Sequence, residues 1–261
     1  MVRDQGLLFR GALRAFLCTV VIVRFMIPAD SLAQSFTFSG SSGDMNASVT
    51  FAQVGTNLVV TLTNTSTNDV LLQPSILTSV FFTLAGDPAL SRISAQLGFG
   101  SIVLFDTPPP GGVVGGEWAY VNHLAGAPYG ADEGISSAGF GLFGSGDLFP
   151  GSNLDGPAAP NGVNYGITSA GDNPLTGQSA VTGSNGPLIK NSVVFTLAFN
   201  TNYVLNVDSI SQVNFQYGTA LMPTDPNIPG VTIPEPGAFT LAAAGILLLV
   251  IVSRQQAQSR R

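Results

Sequence analysis

The chain has 261 residues, a formal net charge of −6 and charged side chains at only 9% of its positions. Between residues 34 and 233, two basic residues, Arg92 and Lys190, stand against twelve acidic ones. Nucleic acid and anionic lipid are bound by basic patches, so this composition excludes nucleic-acid binding by that segment. The single cysteine, Cys18, precedes the segment, which excludes disulfides and thiol chemistry within it.

The first 33 residues have the order of a secretory signal peptide. Three arginines give them a basic start, residues 15–27 are mainly apolar, and small side chains precede the end at Ala33. We predict a signal helix that signal peptidase cleaves after Ala33, so that the rest of the chain is exported. An uncleaved N-terminal anchor is the alternative, although the apolar run is too short to span a bilayer comfortably.

Alternating apolar residues predict β-strands in the chain that follows. Residues 47–51 and 58–62 each place apolar side chains on one face, and Gly55-Thr56-Asn57 is predicted to join them as a three-residue hairpin loop. Further strands are predicted at residues 35–38, 80–85, 102–105, 193–199 and 213–217. Pairing between strands from the two ends of the segment predicts an all-β, antiparallel sandwich with jelly-roll-like connections.

Residues 106–190 are about one third Gly or Pro, a level that in isolation favours disorder. Seven aromatic side chains are spread through them, however, and disordered segments have few aromatics. We therefore predict long ordered loops with short strands. One six-residue motif, Gly134-Ile-Ser-Ser-Ala-Gly139, recurs as Gly166-Ile-Thr-Ser-Ala-Gly171. Two copies are too few for a solenoid, so equivalent turns or strand edges and chance recurrence both stay open.

Aromatic residues in the same segment suggest a sugar-binding surface. Trp118-Ala119-Tyr120, together with Tyr129, could stack on the apolar faces of sugar rings. A lone tryptophan is more often a core residue, so both interpretations stay open for Trp118. The sequence therefore offers Trp118 and Tyr120 as a candidate glycan platform.

No arrangement of catalytic residues stands out in the sequence. His123 is the only histidine, and no nucleophile elbow surrounds any serine, so a Ser-His-Asp triad has no support. Asp132-Glu133 could be half of a glycosidase pair with Glu117 or Asp147, but the sequence does not define the separation of the carboxyl groups that this chemistry needs. We predict no enzyme activity.

Calcium fits the sequence better than zinc, because the exported segment has no cysteine and one histidine. Asp147, Asn153 and Asp155 lie in a Gly- and Pro-rich loop, and such oxygen ligands suit Ca²⁺. Their spacing matches no EF-hand loop, and solvated loop acids are the alternative interpretation. The sequence predicts no other cofactor.

The C-terminal part of the chain contains four consecutive features. Proline-rich residues 222–233 predict an extended spacer that holds the domain away from a membrane. A box of Pro234, Glu235 and Pro236 follows, and its prolines exclude it from a helix interior or a central strand. An uncharged apolar run of sixteen residues, 237–252, then predicts one transmembrane helix. A C-terminal core helix is the alternative, but it would usually show a polar face. The basic tail spans residues 253–261 and contains Arg254, Arg260 and Arg261.

This order of box, apolar helix and arginine-containing end resembles the PEP-CTERM sorting signal of exported bacterial proteins. The resemblance covers about thirty residues, and Gln255, Gln256 and Gln258 disperse the basic residues more than the family pattern does. It implies recognition of Pro234-Glu235-Pro236 by a membrane-bound exosortase, removal of the helix, and transfer to the cell surface or matrix of a bacterium that makes exopolysaccharide.

The predicted organisation is a signal peptide at 1–33, an extracytoplasmic β domain at 34–221, the spacer at 222–233 and the sorting signal at 234–261. The predicted function is a non-enzymatic surface or matrix protein that associates with exopolysaccharide after a stage as an inner-membrane-anchored precursor. A carbohydrate-binding module is the first alternative, and a secreted hydrolase is the second.

Overall fold

A computed structural model describes residues 34–234 of the chain. Within this range there are fourteen β-strands and six short 3-10 turns, and no α-helix. The strands are β1 (Ser35–Ser42), β2 (Met45–Val54), β3 (Asn57–Asn64), β4 (Leu77–Leu84), β5 (Leu90–Leu97), β6 (Ile102–Leu104), β7 (Ala119–Val121), β8 (Glu133–Ser136), β9 (Ile167–Thr168), β10 (Leu188–Lys190), β11 (Ser192–Phe199), β12 (Ile210–Tyr217), β13 (Asn227–Pro229) and β14 (Val231–Ile233). The 3-10 turns are Gln73–Ser75, Pro110–Gly112, Gly115–Glu117, Pro128–Gly130, Ser145–Asp147 and Val207–Ser209.

Sheet A has six strands in the order β14–β1–β2–β3–β11–β5, and all its pairs are antiparallel. The predicted hairpin of β2 and β3 is present, with Val54 opposite Asn57. Its connection is therefore the two-residue turn Gly55-Thr56, one residue shorter than predicted. Gly55 has a φ of 61°, which a glycine adopts without strain.

Sheet B has the order β13–β12–β4–β9–β10–β6, with β8 beside β4 and β7 beside β8. Every pair is antiparallel except β9 with β10. One cluster of buried apolar side chains draws on both sheets, and the rings of Phe51 in β2 and Phe82 in β4 meet with centroids 5.0 Å apart. The predicted all-β, sandwich-like architecture is confirmed.

The connections between strands differ from those of a jelly roll. Strands β1, β2 and β3 form a meander within sheet A, joined by two-residue turns at 43–44 and 55–56. Such short turns keep consecutive strands side by side in one sheet. The chain crosses between the sheets only from β4 onward.

The Gly- and Pro-rich residues 106–190 form long loops with the short strands β7 to β10. Most of their aromatic side chains pack into the domain, as Trp118 and Phe149 do against Phe195 with ring centroids 5.0 and 5.4 Å apart. Burial of these rings offsets the conformational freedom of the glycines around them.

The two copies of the recurring six-residue motif lie beside the same strand, β4. Gly134 to Ser136 of β8 pair with β4 from Phe81 to Ser79, and Ile167 of β9 pairs with Leu77. Because β12 covers the other edge of β4 along its length, β8 and β9 share one edge. Their serine and threonine side chains are buried at both places: Ser136, Ser137, Thr168 and Ser169. Both copies of the repeat therefore lie along the same edge of β4.

Residues 222–233 are part of the fold, in contrast to the predicted extended spacer. β13 pairs with β12, and β14 pairs with β1, where Ile233 lies opposite Thr37. The side chain of Ile228 in β13 is buried in the main apolar core. Open edges on β12 and β1 offer backbone hydrogen bonds that an extended stalk would leave to water, which is why the segment folds back.

No helix within residues 34–234 is long and apolar enough to cross a membrane. The predicted signal helix with Ala33, the residues Glu235 and Pro236, the predicted transmembrane helix at 237–252 and the arginines of the tail lie outside the described residues.

Candidate functional site

A polar groove lies where β5 approaches β7 and the turn at Ser145–Asp147. It has a volume of about 530 Å³ and is lined by Leu90, Ser91, Arg92, Tyr120, Val121, Asn122, Asp147, Leu148 and Pro150. The lining offers a guanidinium, a carboxylate, an amide and a hydroxyl group. These groups can donate and accept hydrogen bonds with a polar ligand.

A β-bulge positions the guanidinium in this groove. Thr196 of β11 pairs with Ser94, whereas the next residue, Leu197, pairs with Arg92, so Ile93 is unpaired. Such an extra residue bends the strand and redirects its side chains. The Ile93 side chain is turned outward and is 43% exposed, while Arg92 reaches across the groove.

Arg92 joins the two sides of the groove. Its Nη1 donates a hydrogen bond to the backbone oxygen of Tyr120 at 3.1 Å and lies 3.7 Å from Asp147 Oδ1. The amide of Gly144 donates to Asp147 Oδ2 at 2.7 Å and orients that carboxylate. Both charged side chains are about one third exposed, so the ion pair contributes at most about 1 kcal/mol. A guanidinium has five N–H donors, and several remain for a ligand.

Behind the groove, Tyr120 and Glu133 form a buried hydrogen-bonded pair. The tyrosine hydroxyl donates to Glu133 Oε2 at 2.9 Å, and the two residues are 3% and 1% exposed. Burial is the main cause that raises the pKa of Glu133 to about 8, and the charges of Asp132 and Asp87 add to the rise, while the Tyr120 hydrogen bond opposes it. Burial, followed by the Glu133 charge, also raises the pKa of Tyr120. Glu133 is therefore mainly protonated at neutral pH.

The other candidate acids have separate partners. Glu117 is buried, and its Oε1 accepts hydrogen bonds from the amides of Leu154 and Asp155 at 3.1 and 2.6 Å. Burial raises the pKa of Glu117, although these amides oppose the rise. Among the hydrogen bonds and ion pairs of residues 34–234, none joins the acids at 132–133 to Glu117 or Asp147.

His123 lies on an exposed loop beside a carboxylate. Its Nδ1 is 3.4 Å from Asp87 Oδ2, and the two side chains are 65% and 54% exposed. No serine hydroxyl is hydrogen-bonded to His123 in the described part of the chain. The contact is that of a surface pair, which contributes little to stability.

The aromatic residues of the predicted glycan platform lie in the core. Trp118 is 0% exposed and packs against Phe195, and Tyr120 is 3% exposed. Tyr129 is 52% exposed, but it lies alone on a turn. The indole has a large apolar area, and its burial in the sandwich is more favourable than its exposure on a loop. Neither Trp118 nor Tyr120 offers a ring face to a sugar.

Each of the three predicted calcium ligands already has a partner within the protein. Asp147 contacts Arg92, Asn153 Oδ1 accepts from the amide of Gly156 at 2.9 Å, and Asp155 Oδ2 accepts from Asn164 Nδ2 at 2.7 Å. Residues 34–234 contain no group of three or more His, Cys, Asp or Glu side chains placed to hold a metal ion.

Sequence reasoning missed Arg92 and Asn122 as groove residues. The signal that could have found Arg92 is its rarity, since it is one of only two basic residues in the domain. Of the sorting-signal residues, Pro234 is described; it is exposed and follows β14. No family model, no curated protein and no solved structure matches this chain.

Proposed function

We propose that this chain is an exported, non-enzymatic surface or extracellular-matrix protein that a C-terminal PEP-CTERM signal sorts. The observation that supports the proposal is the position of the first and last strands among the described residues. β1 begins at Ser35, two residues after Ala33, and β14 ends at Ile233, directly before Pro234. The described strands therefore lie between the predicted signal peptide and the predicted sorting signal.

The pairing of the first and last strands supports a tether at one end of the domain. Because β14 runs antiparallel to β1, the start of β1 and the end of β14 are neighbours at the same end of sheet A. Pro234 is exposed there. An exosortase would thus meet the box beside a strand edge, with signal peptidase acting at the other predicted cleavage site. The predicted helix at 237–252 would hold the precursor in the inner membrane until transfer to the surface or matrix, where exopolysaccharide is the expected partner.

We expect alanine at all three positions of the box, Pro234, Glu235 and Pro236, to prevent processing. In a host that makes the exosortase, this variant stays in the membrane fraction with its C-terminal tail, because the enzyme no longer finds the rigid extended box. The wild type reaches the surface or matrix and lacks the tail. Cell fractionation and intact mass measure both results. Pro229→Ala, a proline of β13 outside the box, is the control and should be processed normally. Identical mass and location for wild type and box variant would contradict the proposal.

The groove at Arg92 favours carbohydrate binding as a second candidate function. Sugars present many hydroxyl groups, and planar polar side chains such as those of Arg92, Asn122 and Asp147 pair with them. A guanidinium in an otherwise acidic domain also provides the one cationic group in this groove for a sugar carboxylate.

We expect Arg92→Ala to weaken binding of a glycan by roughly tenfold or more, because a hydrogen bond to a charged group is worth about 1.5–3 kcal/mol. A glycan array identifies a ligand for the wild type, and calorimetry compares the affinities of the variants. Lys190→Ala removes the same charge away from the groove and should bind like the wild type. If the wild type binds no glycan on the array, or if the two variants lose affinity equally, the groove is not a carbohydrate site and the passive structural role is favoured.

A further inference from the structure

Two loops of the sandwich are joined by a reciprocal exchange of hydrogen bonds between two aspartates. The amide of Val70, which follows Asp69, donates to Asp172 Oδ1 at 3.0 Å. The amide of Asn173, which follows Asp172, donates to Asp69 Oδ1 at 2.9 Å. The hydroxyl of Thr176 donates to Asp69 Oδ2. This exchange places the two aspartates side by side on neighbouring loops, although the chain separates them by about a hundred residues.

Close backbone packing keeps the loops at this separation. The Ser169 hydroxyl donates to the backbone oxygen of Asn68 at 2.5 Å. Gly171 packs against Thr67 so closely that a Cβ at this position would lie 2.1 Å from the Thr67 oxygen. The two carboxylates are therefore held together by the fold, before any ligand binds.

One of the two carboxylates is buried with an unpartnered oxygen. Asp172 is 3% exposed, and its Oδ2 has no hydrogen-bond partner. The nearby ammonium of Lys190 donates to the backbone oxygen of Asp172 at 2.7 Å, and not to the carboxylate. A buried carboxylate oxygen without a partner is costly, and a proton or a cation relieves that cost.

We propose that Asp69 and Asp172 bind a calcium ion, with Asp172 Oδ2 directed at it. Both proposed ligands are carboxylates, and carboxylate oxygens suit a hard cation better than they suit zinc. Irregular loops accommodate the variable coordination of Ca²⁺ better than the strict octahedron of Mg²⁺. This site is distinct from the loop at Asp147, Asn153 and Asp155 that the sequence indicated.

The number of carboxylates sets the expected affinity. With two carboxylates, the remaining ligands have to be neutral oxygens and water. Asp69, but not Asp172, lines a cavity of about 170 Å³ together with Asp44, Asn64, Ser66, Ser75 and four apolar residues. Calcium sites of extracellular modules have dissociation constants of about 10⁻⁴–10⁻³ M, and this site belongs in that range. The physiological supply of calcium at such levels rests on the proposed export, whereas binding in a test tube does not.

We expect 10 mM CaCl₂ to raise the Tm of the purified full-length chain by roughly 3–6 °C, because a ligand at about ten times its Kd stabilises only the folded state. Asp172→Asn should abolish this shift. In the absence of calcium the same variant should be as stable as the wild type or more stable, since its side-chain oxygen still accepts from Val70 while the unpaired charge is gone. Differential scanning calorimetry measures the shifts, and calorimetric titration measures binding directly.

The control is Asp155→Asn, which alters the loop that the sequence indicated and should keep the wild-type shift. Asp69→Asn provides a second variant at the proposed site and should lose the shift. MgCl₂ at the same concentration should have a smaller effect. The proposal is overturned if calcium does not shift the wild type, if Asp172→Asn keeps the full shift, or if Asp155→Asn removes it. None of these results depends on whether the C-terminal signal is processed.

Discussion

Replacing Trp118 with alanine is expected to lower the free energy of unfolding by about 3–5 kcal/mol, the range for a large aromatic removed from a packed core. Trp118 is fully buried within the cluster that joins the two sheets, and its ring lies 5.0 Å from that of Phe195. The indole leaves a cavity that the long loops around it can fill only in part. Denaturation in urea, followed by fluorescence of the tyrosines and by circular dichroism, measures the loss.

Tyr129→Ala is the matched control for Trp118→Ala. Tyr129 belongs to the same loop-rich segment but is 52% exposed, so its removal should change stability by less than about 1 kcal/mol. A Trp118→Ala variant that is as stable as the wild type but no longer binds glycan would contradict a role of Trp118 in the core and would support the predicted glycan platform. A destabilised variant whose residual folded fraction binds glycan normally would agree with the structure.

Glu133→Gln is expected to remove a pH dependence from the stability of the domain. A carboxyl whose pKa is 4.5 in the unfolded chain and about 8 in the fold keeps its proton only in the folded state between these pH values. The free energy of unfolding therefore falls as pH rises across that window, by about 1.4 kcal/mol per pH unit and roughly 5 kcal/mol in total. The stabilising contribution is fully present below pH 4.5 and lost above pH 8. Glutamine stays neutral and can still accept from the Tyr120 hydroxyl.

Urea unfolding at several pH values from 4.5 to 8.5 measures this effect. The wild type should lose stability toward the alkaline end more steeply than Glu133→Gln, and the variant should be the more stable protein at pH 8. Asp208→Asn alters an exposed carboxylate and should follow the wild-type profile. Parallel profiles for the wild type and Glu133→Gln would show that Glu133 ionises in the fold as it does in water.

Much of the fold could be predicted from local patterns. Alternation places Val49, Phe51 and Leu58 inside a strand pair, and the structure buries all three. The predicted hairpin loop is one residue too long. Asn57 is a residue type that is common in turns, but in the structure it pairs with Val54 as the first residue of β3. The prediction of an extended spacer at 222–233 is wrong. The prolines of this segment favour an extended chain, and the sequence does not show that β1 and β12 have free edges with which it can pair.

The groove was harder to predict than the fold. Asp147 was singled out as a calcium ligand, but its partner in the structure is Arg92, more than fifty residues earlier. The bulge at Ile93 that directs Arg92 arises from pairing with β11, a strand a hundred residues later. A short window of sequence contains no pattern that indicates either the ion pair or the bulge.

Composition and short-range order account for several properties of this protein. These are the near absence of basic residues, the lack of cysteine after Cys18, the alternating strands and the succession of signal-like segments at the two ends. Which side chains lose their contact with water depends instead on how the strands and loops pack in three dimensions. It buries Trp118 and Glu133 and brings Asp69 to Asp172. Burial and long-range pairing set the pKa of a carboxyl and the cost of an unpartnered oxygen, and both depend on residues that are distant in the chain.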